Sequence, residues 1–207
     1  MLKATHERTK RGEIALKKTL SVCAAAIMAG ALMSGCSFFQ KANGIILYGD
    51  EVKVAEALEQ EKDELIDESQ YPIKIVAEAG EWMMVLSEET AQAIADKELL
   101  RKVTTGDKTE AISSVAKLSE GEAVVYAKTE QEQLNLDGQN LKASYGGNSI
   151  IGDGRAYVEK FLIVDDADWT KIEGEEKFMA IMEYKKDPSI KLMDFYVDDT
   201  QLVRVVE

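Results

Sequence analysis

Residues 44 to 86, GIILYGDEVKVAEALEQEKDELIDESQYPIKIVAEAGEWMMVL, decide the fold class. The apolar run GIILY at 44 to 48 is strand-like, and Gly49-Asp50 ends it with a residue suited to cap a helix. From Glu51 to about Asp67, Val54, Leu58 and Leu65 fall near one helical face with acids elsewhere, which predicts an amphipathic helix stopped by Tyr71-Pro72. Ile73, Ile75 and Ala77 then alternate with Lys74, Val76 and Glu78 as a strand does. Ala79-Gly80 turns the chain into a second strand, Trp82 to Leu86. The stretch reads β-α-β-β.

Toward the C-terminus the same grammar continues. Ser87 is placed to cap a helix running to about Lys102, with Glu88 and Glu89 at the positive end of its dipole. After the loop Thr104 to Asp107 a weaker helix is predicted over Thr109 to Leu118, and a strand over Glu122 to Lys128. Asp137-Gly138 has the chemistry of a hairpin turn. SYGGNSIIGDG at 144 to 154, with four glycines, reads as a mobile loop. Tyr157 to Val164 is a strand, Asp165 caps a short helix through Ile172, and Phe178 to Tyr184 with Ile190 to Val197 reads as a hairpin around Asp187-Pro188. Leu202 to Val206 adds a last strand. MVLSEETAQAIAD at 84 to 96 and LIVDDADWTKIEG at 162 to 174 share a strand, a cap and an isoleucine at the same offset. Related halves and a shared junction grammar explain that echo equally well. The expected fold class is α+β, a mixed or antiparallel sheet with two to three helices and possible related halves.

Toward the N-terminus the character changes. Lys3, Arg8, Lys10, Arg11, Lys17 and Lys18 precede TLSVCAAAIMAGALM at 19 to 33, an uncharged run. It is shorter than the roughly 20 residues of a membrane-spanning helix and fits the apolar region of a secretory signal. Residues 1 to 35 are therefore expected to be a signal peptide, residues 36 to 43 a short tether, and residues 44 to 207 a single extracytoplasmic domain. The boundary Leu32-Met33-Ser34-Gly35-Cys36 resembles the bacterial lipobox, with Met33 where that pattern usually has Leu. The resemblance implies cleavage before Cys36 and a diacylglyceryl thioether on its sulfur, with a further acyl chain such as palmitate on the new amino group. One acyl chain holds a protein only marginally at a membrane, and two or three hold it durably.

Composition closes most other routes. The chain of 207 residues carries 25 Lys and Arg against 38 Asp and Glu, which disfavours nucleic acid, whose backbone is bound by cations. From Cys36 onward the balance is 19 bases to 36 acids. His6, Cys23 and Cys36 are the only residues of their types, so the mature chain lacks the groups for a Ser-His-Asp, Cys-His or His/Cys zinc site. No P-loop occurs, and Gly152-Asp153-Gly154-Arg155 is too short for a dinucleotide loop. Asp165-Asp166-Ala167-Asp168 and Asp198-Asp199 do not match a calcium loop and read as capping and solvated faces. No enzyme activity, metal or cofactor is expected. Trp82 and Trp169 suit either core packing or an exposed binding anchor.

The stretch FLIVDDADWTKIEGEEKFMAIMEYKK at 161 to 186 resembles segments in the extracytoplasmic domains of FtsX-like and MacB-like transporter permeases. The opening KANGIILYGDE is similar to that of small lipoproteins of Gram-positive bacilli. These resemblances imply a lipoprotein anchored through Cys36 on the outer side of the cell membrane. The function expected is a non-enzymatic interaction or accessory module, for an ABC transporter permease or an envelope sensor, with Tyr145 and Trp169 as candidate contact residues. The alternative is a small-solute-binding lipoprotein in which the 144 to 154 loop closes over the ligand.

Overall fold

The apolar run at the head of the domain is buried on both faces because it lies between two neighbours and under two layers. The computed structural model describes residues 41–78, 80–106, 108–130, 136 and 141–206. In chain order the elements are β1 (Gly44–Gly49), α1 (Glu51–Glu61), β2 (Leu65–Glu78), β3 (Glu81–Ser87), α2 (Glu88–Asp96), β4 (Leu100–Val103) and β5 (Thr109–Ala111). Then follow β6 (Glu122–Tyr126), β7 (Lys142–Gly147), β8 (Ser149–Ile151), β9 (Lys160–Val164), α3 (Asp166–Lys171), β10 (Glu175–Tyr184) and β11 (Asp199–Val203), with a 3-10 turn at Ser189–Lys191. Eight strands form one sheet in the order β11-β1-β10-β2-β3-β9-β6-β7, and β5-β4-β8 form a second, smaller one. The large sheet is mixed: β3 and β9 are parallel, as are β6 and β7, and the other neighbours are antiparallel. The fold is α+β.

Alternate residues of each strand serve two different cores, as the period of two requires. Ile46, Ile73, Met84, Ile163 and Ile181 face α2, through Ala91, Ile94 and Ala95, together with Leu100 and Ile151 of the small sheet. Ile45, Leu47, Ala180 and Met182 face α1 through Val54 and Leu58. Farther along that second face, Met83, Val85, Leu162 and Val164 pack with Ile172, just beyond α3. A sheet covered on both faces needs continuous apolar strands, which is why GIILY and FLIV read as unbroken runs. Among the described residues no helix is long and apolar enough to cross a membrane.

Several sequence expectations give way to tertiary pairing. α1 ends at Glu61, not near Asp67, and Leu65 opens a strand of 14 residues opposite Tyr184. Leu65 is buried against the α1 core, a demand that helix and strand periodicity meet equally at that position. Pro72 lies inside β2, opposite Phe178 and outside the stretch Lys74 to Glu78 that β3 pairs, so one side of the proline has no ladder to interrupt. α2 ends at Asp96, short of Lys102. Glu98 adopts a left-handed φ of 55°, and Leu100–Val103 is recruited between β5 and β8. The weaker helix over Thr109 to Leu118 is instead β5 and an irregular segment. Its Val115 and Leu118 N–H groups donate to the side chains of Gln92 and Glu88 on α2.

The glycine-rich stretch 144 to 154 is not a loop, because it holds most of β7 and all of β8. Its glycines answer to space and dihedral angle: a Cβ on Gly146 would sit 2.5 Å from the Tyr126 ring, and Gly147 has φ 103°. Ile190 to Val197 is not a strand either. The 3-10 turn and following coil lay Leu192, Phe195 and Val197 over the α1 core. The turn at Asp137-Gly138 lies outside the described residues.

The two echoing segments do become neighbours. β3 and β9 run side by side, and both caps form: the Thr90 N–H donates to Ser87 Oγ at 3.1 Å and the Ala167 N–H to Asp165 at 2.9 Å. α2 packs on one face of the sheet and the α3 region on the other, so the likeness is confined to the strand-cap-helix junction.

Candidate functional site

Cys36, the expected lipid attachment point, lies outside the described residues. Tyr145 and Trp169 lie within them, on β7 and α3, and both pack half-buried against the same core cluster. The Tyr145 hydroxyl donates to Ala127 O at 3.0 Å. Trp169 Nε1 donates to Val85 O at 3.2 Å, and Lys74 Nζ lies 4.4 Å from its ring centre. Lys74 is buried and donates to the carbonyls of Trp169 and Ile172 at 2.9 and 2.7 Å, which fastens the end of α3 to the sheet. The hydrogen-bonding tips of Tyr145 and Trp169 are thus both engaged within the fold.

Large apolar side chains reach solvent elsewhere. Ile190, Met193 and Tyr196 are 89, 93 and 88% exposed, and Val52 on α1 is 67% exposed. The first three alternate with Leu192, Phe195 and Val197, which face inward, so a single coil segment covers the core and presents a second apolar surface outward. The segment runs beside α1. Lys191 pairs with Glu61 and Glu64 at 2.6 and 3.2 Å at the end of α1, and Lys53 near its start lies 5.3 Å from the Tyr196 ring centre. The stripe therefore spans the length of the helix. Glu51, Glu56 and Glu59 line the solvent face of α1 beside Val52 and Ala55. The residues were visible in the sequence, but reading 190 to 197 as a strand assigned burial by parity and hid the pattern.

A second feature lies at the end of the sheet opposite Lys41. Ile75, Trp82, Tyr157, Val158, Glu175, Lys177 and Asp198 line an open pocket of about 210 Å³. Trp82, on β3, is 61% exposed. Tyr157 stacks on Tyr48 with ring centres 4.7 Å apart and donates to Asp198 at 3.3 Å. Lys177 is buried and holds three carboxylates, Asp50 at 2.7 Å, Asp198 at 2.9 Å and Glu175 at 3.0 Å. The hydrogen bonds it donates to Asp50 and Asp198 push its ammonium well above the usual lysine range. The Lys177 hydrogen bond in turn holds Asp50 below the usual carboxylate range. Burial, then the charge of Asp198, pushes Tyr157 up to about 12. Among the described residues no group of three or more His, Cys, Asp or Glu side chains is arranged to hold a metal ion.

The profile of an uncharacterised lipoprotein family matches residues 42–206, and the chain belongs to that family. A solved structure provisionally described as that of a lipoprotein from Bacillus anthracis is 28% identical to it, with a TM-score of 0.74, and the alignment covers 80% of this chain and 100% of that one. No curated protein matches the chain. The resemblance of the opening to lipoproteins of Gram-positive bacilli stands, and the chain is a lipoprotein of the cell envelope.

Proposed function

We propose that this lipoprotein, anchored through Cys36 on the extracytoplasmic face, is a non-enzymatic module that docks an integral membrane protein, such as a transporter permease, along the stripe Ile190, Met193, Tyr196 and Val52. The exposure of these four large apolar side chains beside the charged face of α1 is the observation that carries the reading, because exposed apolar surface rimmed by polar groups is characteristic of interaction sites. Its position favours a partner in the same membrane. Ile190 follows directly on the segment near Lys41, whose charge reaches Asp187, and only four residues separate Lys41 from Cys36, so the two lie at most about 18 Å apart along an extended chain. The acids of α1 beside the stripe favour a partner surface with an apolar ridge and a basic flank. The absence of His and Cys after Cys36 removes the commonest catalytic groups.

Photocrosslinking in living cells tests this. Crosslinkers at Ile190, Met193 and Tyr196 should each trap the same integral membrane protein, and crosslinkers at Tyr145 or Lys142, on the far edge strand, should not. Recovery of only the lipoprotein itself, or the same products from every position, would sink the docking reading.

A further inference from the structure

The pocket at the end of the sheet opposite Lys41 has a composition that specifies the charge of what it holds. Trp82, Ile75 and Val158 supply apolar surface, while Glu175, Lys177 and Asp198 supply charge. An ammonium has three protons, and those of Lys177 are taken by Asp50, Asp198 and Glu175. The Tyr157 proton goes to Asp198. Apart from the Trp82 indole N–H, the side chains lining the pocket therefore offer an entering group only acceptors. Each carboxylate has about four lone-pair sites, so capacity remains, above all on Glu175, whose side chain is 61% exposed and which meets Lys177 through one oxygen. Two lining carboxylates against one lining ammonium leave the pocket negative. Beside them stands an exposed indole, the ring that attracts cations best.

We propose that this pocket binds an alkyl-guanidinium or alkyl-ammonium group, its charged head against Glu175 and Asp198 and its stem and cationic plane against Trp82. The volume of about 210 Å³ lies below the roughly 300 to 1,000 Å³ of sites for drug-sized molecules, so the ligand is one side-chain-sized group. Two sources supply that chemistry, a free organic cation and the Arg or Lys side chain of a protein. The proposal is independent of the docking stripe, which shares no residue with the pocket.

The test uses two-dimensional NMR of the full chain in detergent micelles, at physiological salt so that diffuse attraction to acids is screened. The chain has two tryptophans, and the Trp169 indole N–H, bonded to Val85 O, is an internal control. Butylguanidinium should shift the Trp82 indole resonance saturably and leave that of Trp169 in place, while its neutral isostere butylurea should shift neither. Trp82→Ala and Glu175→Gln alter exposed side chains and should keep the fold; each should weaken binding, read on the Tyr157 amide, at least about fivefold. A short peptide carrying one Arg, compared with its citrulline counterpart, separates the sources. An Arg peptide binding tenfold tighter than butylguanidinium points to a protein side chain, and equal binding points to a free cation. Equal response to butylurea, no saturation, or affinity unchanged by Trp82→Ala would overturn the proposal.

Discussion

Replacing Lys160 with Met should cost the domain about 3–5 kcal/mol of stability, because it strips the partner from a buried carboxylate. Lys160 opens β9 beside Met83, and its Nζ lies 2.5 Å from Glu78 Oε2, with the two side chains 3 and 8% exposed. Glu81 contributes a second contact at 3.3 Å, but its side chain is 60% exposed and such a pair contributes at most about 1 kcal/mol. Methionine keeps the length of the lysine stem, so packing changes little and the loss reports the abandoned Glu78 charge. In a domain of this size each kcal/mol moves the melting temperature by roughly 2–4 °C, which puts the expected fall on the order of 10 °C. The double variant Lys160→Met with Glu78→Met removes both charges, and an apolar pair of similar volume should restore stability to within about 1 kcal/mol of the starting protein. Urea unfolding followed by circular dichroism measures all three. A single variant less than about 1 kcal/mol destabilised, or a double variant no more stable than the single, would refute the claim that this pair is dry and mutually dependent.

Two further outcomes concern the anchor and the tyrosines. Cys36→Ala should release the chain from the membrane fraction, and intact-mass measurement of the unsubstituted protein should show a lipid-bearing chain beginning at Cys36; an unmodified N-terminus there contradicts the anchor. Burial raises Tyr48, Tyr126 and Tyr184 above the usual phenol range and puts Tyr157 at about 12. A folded value above the unfolded one of about 10 means that the folded chain keeps these protons longer. Their contribution is complete below pH about 10 and is lost as the pH climbs toward 12, so alkaline stability should fall across that window. Phenolate absorbance should lag and then rise with unfolding, whereas simultaneous ionisation of all seven tyrosines near pH 10 in the folded state would contradict it.

Elements whose local chemistry and tertiary role agree were legible. GIILY is apolar throughout because both its faces are covered, and Ser87 and Asp165 mark helix starts because each side chain accepts a nearby backbone N–H. Elements defined by a distant partner were not. β4, β5 and β8 are three or four residues long and carry little periodicity of their own. Glycine misled for a related reason, since Gly146 lies within a strand and accommodates the Tyr126 ring. The two tryptophans could not be told apart by sequence. Trp82 and Trp169 both sit beside acids, yet one stands in solvent at the pocket rim and the other lies over the sheet with its indole N–H bonded.

The direction of the strands sets the proposed pocket at the end of the sheet away from Lys41. β1 leaves Lys41 at one end of the sheet, where Leu65 faces Tyr184 and Gly44 faces Val203. From Leu65 the strand β2 carries the chain ten residues to Ile75 at the pocket, roughly 30 Å at the rise of a strand. At the end of the sheet near Lys41 the exposed Lys41, Lys62, Lys185 and Lys186 stand among Asp63, Glu64 and Asp187, close to electrical balance. At the pocket end Asp50, Glu81, Glu175, Asp198 and Asp199 outnumber the nearby lysines Lys53, Lys160 and Lys177. An anionic surface therefore repels the pocket end of the sheet more strongly than the end at Lys41.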